Sequence, residues 1–127
     1  ATVTLVESAP AAVAAARAHL GGVRVVPARV EEALRRGRLA GPVDLVVLDP
    51  PRSGAGAEVV RRIVAARPRA VAYVACDPAA FARDVRTFRE AGWSLAVLRG
   101  YDCFPMTHHV ELVGLLTPNG RAGRPIG

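Results

Sequence analysis

Lysine is missing altogether from this sequence: all 17 of its Lys-plus-Arg positions are arginine, set against 11 acids for a formal charge of +6. Arginine as the sole long cation, amid abundant Ala, Gly and Val, is the imprint of GC-rich coding, so the charge by itself says little. A basic surface still suits a polyanionic partner. Cysteine is scarce as well. Two residues, Cys76 and Cys103, with no CxxC pair, support neither a disulfide framework nor a zinc site, and they fit a reducing cytoplasm. Long apolar runs are lacking too. Arg, Asp, Pro or Gly interrupts each one before the roughly 18 residues that would span a bilayer, so no membrane partner is expected.

What is present is apolar enough for a core: 51% of the 127 residues are hydrophobic, which argues against disorder and for one globular domain. The opening "ATVTLVESAP" has neither a basic leader nor an initiating Met. It reads as the interior of a longer chain and not as a signal peptide.

Strand-like and helix-like segments alternate. "TVTLVE" (2–7) is followed by the Ala-rich "APAAVAAARAHL" (9–20), with Pro10 near its start and Gly21 past its end. "VRVV" (23–26) leads to a helix around 30–37, and "PVDLVVLD" (42–49) leads to the amphipathic "GAEVVRRIVAAR" (56–67), which turns Val59, Val60, Ile63 and Val64 inward. "RAVAYVAC" (69–76) and "PAAFARDVRTFREAG" (78–92) repeat the unit; then "WSLAVLRGYD" (93–102) and "HHVELVGLLT" (108–117) follow with no helix between them. This pattern predicts an α/β sheet, mostly parallel, with an antiparallel last strand. The Pro-, Gly- and Arg-rich residues 118–127 are expected to form a flexible tail behind a domain at 1–117.

Ligands of open α/β sheets bind beyond the carboxyl ends of the strands. Those ends, with the oppositely directed start of the last strand, collect Glu7, Asp49 with Pro50, Pro51 and Arg52, Cys76 with Asp77, and Thr107, His108, His109 and Glu111. Cys76 is either strand filler or a thiol delivered to a helix N-terminus, where thiolate is favoured. Glu7 suits a ribose diol, or is a solvated acid beside a helix start. In "DPPR" two prolines without N–H groups stiffen the loop that carries Asp49 and Arg52, unless this is a plain strand-ending turn. Glu111, a carboxylate in the apolar "HVELVGLL", is a candidate general base or a polar-face residue of an edge strand. The adjacent His108 and His109 point to opposite faces and are poor joint metal ligands; no metal site is expected. Cys103 reads as packing.

Together "LDPPRSGA", "YVACDPAAFARD" and "GYDCFPMTHHVELV" closely resemble the catalytic portion of the RNA uridine-5-methyltransferase family, over roughly residues 3–117. The resemblance implies a Rossmann-like class I methyltransferase sheet, S-adenosyl-L-methionine as cofactor and tRNA or rRNA as partner. It implies Cys76 as the nucleophile that adds to carbon 6 of a uracil and Glu111 as acceptor of the carbon 5 proton. Glu7 and Asp49 fall to the cofactor, and Arg52, Asp77 and His108 to the RNA. Entry of the base by flipping is the usual route for such chemistry.

The sequence also departs from that family. No glycine-rich cofactor loop is found, and the central strand that normally lies between 2–7 and 42–49 is expected to be lacking. Asp77 stands where many members have Asn, Arg29 where an acid usually lies near the adenine, and His19 where Asn is frequent. The fragment alone is therefore expected to bind cofactor weakly or not at all and to be inactive. An amino-directed nucleic-acid methyltransferase shares the Pro-Pro motif but has no use for Cys76. A non-catalytic RNA-binding remnant is the reading from outside enzymology.

Overall fold

The computed structural model describes residues 2–39, 42–104 and 109–120, without the side chains of 103, 104 and 109. The chain divides into two compact units, Ala1–Gly41 and Pro42–Gly127. Among the described residues no helix is long and apolar enough to cross a membrane.

The first unit is a β–α–β–α run: β1 (Val3–Glu7), α1 (Pro10–His19), β2 (Val23–Pro27) and α2 (Val30–Arg35). Pro10 opens α1 where its missing N–H is no loss, and Gly22, at φ +76, turns the chain into β2. The two strands pair in parallel from Val3↔Val23 to Glu7↔Pro27. Val26, Ala28 and Ala33, joined by Val6, make a small core between strand and helix.

The second unit holds β3 (Leu45–Leu48), α3 (Ala57–Ala65), β4 (Ala70–Ala75), α4 (Pro78–Glu90), β5 (Trp93–Phe104) and β6 (His109–Pro118). Its sheet order is β3-β4-β6-β5; β3 and β4 are parallel, and β6 is antiparallel to both of its neighbours. The connection from β5 to β6 is too short for a parallel crossover, so β6 returns as a hairpin arm and takes the place beside β4. Three of the four strands thus run one way. β1 and β3 belong to separate sheets.

β6 extends one residue beyond the expected limit at 117: Pro118 ends it opposite Trp93, and the Asn119 N–H bonds the Gly92 carbonyl at 2.8 Å. Pro118 costs the sheet nothing at a strand end, where no ladder donor is required of it. Residues 121–127 lie outside the described residues.

α4 covers one face of this sheet. Phe81 meets Tyr73 edge to face at 5.1 Å, Phe88 packs on Trp93 at 5.7 Å, and Phe81 also fills the space over Gly114. A methyl group on Gly114 would lie 2.7 Å from that ring, so the glycine is required by close packing. Leu48, Val71, Tyr73, Ala75 and Leu116 are buried on this side. Alternate residues face the other way, and there Leu45 and Val47 are 54% and 66% exposed.

Candidate active site

Cys76 is the first residue beyond β4, half-buried and free. The strand stops there because Asp77 begins a helix. Its backbone is extended, and its Oδ1 accepts the N–H groups of Ala79 at 2.9 Å and Ala80 at 3.4 Å, with Pro78 in the first helical position. The thiol is thereby held at a strand-to-helix corner, directly before the N-cap of a 13-residue helix. Asp77, expected at the RNA, caps this helix through its Oδ1.

Glu111 is brought to the same level by strand register. β4 and β6 pair from Val71↔Leu116 to Ala75↔Leu112, and one further step in that register sets Cys76 across from Glu111. On its other side Glu111 pairs with Tyr101 of β5. β6 is therefore an interior strand, not the edge strand on which a bland reading of Glu111 would depend, and the carboxylate is half-buried.

Asp49 follows β3 directly and is exposed. The β3–β4 register, continued from Leu48↔Tyr73, places it beside Val74, two residues short of Cys76. The loop after it passes through Pro50 and Pro51 and then curls. The Gly54 N–H bonds the Pro51 carbonyl at 2.8 Å, and Gly54 adopts φ +83. Arg52 lies exposed inside that turn. Within the second unit Asp49, Cys76 and Glu111 thus gather at one edge of one sheet.

In the first unit Glu7 ends β1, half-buried, with Oε1 accepting the Ala9 N–H at 3.3 Å. An acid at the carboxyl end of a parallel strand suits a ribose diol, and Asp49 occupies the equivalent place in the second unit. His108 lies outside the described residues. Among the described residues no group of His, Cys, Asp and Glu could hold a metal ion.

Two residues were not anticipated. Asp84 of α4 is fully buried and joins Tyr73, at 2.5 Å, to the loop after Arg52 through the Ala55 N–H at 2.7 Å. Burial first, then the hydrogen bond to Asp84 and its charge, push the Tyr73 hydroxyl far above the ordinary tyrosine range, so it stays a donor. A signal existed: Phe81, Asp84, Val85 and Phe88 share the helix stripe that packs inward, and an acid in such a stripe needs partners.

An α/β sheet whose last strand enters antiparallel between its neighbours has the class I methyltransferase fold. A putative methyltransferase from Thermoplasma acidophilum shares the fold, with a TM-score of 0.67 at 13% identity over 94% of this chain and 58% of that one. The sequence pattern of the tRNA (Uracil-5-)-methyltransferase family matches residues 40–119, and the chain belongs to that family. An uncharacterized RNA methyltransferase of Streptomyces avermitilis is 49% identical over 116 residues, 89% of this chain and 27% of the relative. One from Corynebacterium diphtheriae is 48% identical over 118 residues, 88% of this chain and 27% of the relative. The crystal structure of Pyrococcus abyssi tRNA (uracil-54, C5)-methyltransferase in complex with S-adenosyl-L-homocysteine superposes with a TM-score of 0.78 at 30% identity, over 91% of this chain and 28% of that one. The chain spans about a quarter of the length of these relatives.

Proposed function

We propose that the protein to which this chain belongs methylates carbon 5 of a uridine in tRNA or rRNA, with S-adenosyl-L-methionine as donor, Cys76 as nucleophile and Glu111 as proton acceptor. The observation that carries this reading is the register that sets Cys76 across from Glu111 at the end of β4.

Carbon 5 of uracil is a poor nucleophile. Addition of the Cys76 thiolate to carbon 6 forms a C–S bond and moves the ring's double-bond electrons into an enolate, which makes carbon 5 nucleophilic. When bound, the cofactor supplies an activated methyl group to that carbon. Glu111 then takes the carbon 5 proton; the freed pair restores the ring double bond and expels Cys76 as thiolate. In this reading Glu7 and Asp49 would hold the cofactor and Arg52 would contact the RNA, where a guanidinium matches phosphate.

The test is incubation of the full-length protein with 5-fluorouridine-containing RNA and S-adenosyl-L-methionine, followed by mass spectrometry. Fluorine cannot leave as a proton does, so the expected product is a stable peptide adduct at Cys76. Methylated RNA without an adduct would favour an amino-directed enzyme. Neither product would leave an RNA-binding remnant.

A further inference from the structure

Asp84 is the one charged side chain in the buried class among the described residues, and the chemistry above gives it nothing to do. Taking a carboxylate out of water is costly unless its oxygens are saturated. Here they are. Oδ2 accepts the Tyr73 hydroxyl at 2.5 Å and the Ala55 N–H at 2.7 Å, while Oδ1 accepts the Gly56 N–H at 3.3 Å and lies 3.8 Å from the Arg83 guanidinium. The Ala55 N–H also reaches the Tyr73 oxygen at 3.3 Å, and Arg83 donates to the Ser53 carbonyl.

The partners have a pattern. Ser53, Ala55 and Gly56 lie in the loop that carries Asp49 and Arg52. Tyr73 lies on β4, three residues before Cys76, and Asp84 itself is on the helix that starts just after Cys76. One carboxylate therefore ties the loop of one strand end to both arms of the corner holding the thiol. The fit leaves no slack: a methyl group on Gly54 would come within 2.7 Å of Asp84 Oδ2 and 2.9 Å of Arg83 Nη2. A cap serving α3 alone would need only a Ser or Asp at Gly56, where the sequence has neither.

We propose that Asp84 is a positioning residue that fixes the Asp49–Arg52 loop relative to Cys76. What that loop then serves rests on the function proposed above; the clamp itself does not. The stiffness of Pro50 and Pro51 transmits the anchor at 53–56 back to Asp49.

The test uses the full-length protein with Asp84→Asn and Tyr73→Phe, read by amide exchange, thermal melting and methylation kinetics. Asp84→Asn presents an NH2 to a donor, so exchange at 55 and 56 should quicken about tenfold or more while α4 beyond its first turn keeps its protection. kcat should fall about tenfold or more, with a smaller change in KM for RNA. Faster exchange with an unchanged kcat would overturn positioning and leave a helix cap. Should Asp84→Asn lose protection throughout α4, Tyr73→Phe decides, because it keeps the carboxylate and the loop amides: lower kcat supports the proposal, and a lower melting point alone overturns it. A wild-type protein that leaves uridine unmethylated defeats the function and not the clamp, which unaltered exchange at 55 and 56 in Asp84→Asn would overturn by itself.

Discussion

The two faces of the four-stranded sheet have the same kind of sequence and opposite circumstances. "LVVL" of β3 and "AVAYVA" of β4 are apolar at every position, as in strands buried on both sides. One face is sealed by Phe81 and its helix, so tightly that Gly114 has no room for a methyl group. The other leaves Leu45, Val47 and Val97 open. The strand sequences thus do not decide which face is covered; the helix stripe does. The proposed chemistry lies at the end of these strands, where helix α4 begins and the sheet stops.

That contrast can be broken by substitution. Glu111→Gln in the full-length protein should lower methyl transfer about 10²–10⁴-fold and leave methylated RNA attached to Cys76, seen as a retarded band on a denaturing gel. Gly114→Ala, on the sealed face, should destabilise by about 1–3 kcal/mol through overpacking against Phe81, measured by urea unfolding. Asp77→Ala removes the α4 cap and should cost about 1 kcal/mol in the same assay, with Asp77→Asn largely neutral. Tyr73→Phe bears on pH. Because the folded-state hydroxyl titrates above the unfolded value of about 10, the native chain is stabilised fully below that pH and loses this contribution as pH rises beyond it. The variant should therefore melt earlier near neutrality and show a shallower alkaline decline. Val47→Thr, on the open face, should stay within about 0.5 kcal/mol.

Much of this architecture could be read from the residues. Apolar runs alternating with helical stripes locate the ten elements of the described residues, and of the four inward residues of α3 Val59, Val60 and Ile63 are buried while Val64 is half-buried. Cys76 and Asp49 were legible as strand-end residues because the ends of α/β strands are where the chain leaves the core. The opposition of Cys76 and Glu111 was not, because it depends on β6 entering between β4 and β5, and pairing partners leave no mark in local periodicity. Asp84 was hidden for a different reason. In "FARDVRTFRE" it stands among arginines and resembles one more solvated charge until its place in the Phe81–Phe88 stripe is counted. The task of Asp77 was likewise a matter of geometry, since an acid beside a nucleophile and an acid at a helix cap look the same in the sequence.

The position of β6 also sets a timetable. A ribosome releases β4 and its thiol well before β6, and until β6 emerges β4 has a partner on one side only. The β5–β6 hairpin closes locally and quickly, while its docking beside β4 must wait for loop closure across α4. Cys76 and Glu111 thus meet only once β6 has been made and docked. A nascent or prematurely terminated chain carries the thiol without its opposing carboxylate, so the pair exists only in molecules whose synthesis has passed β6.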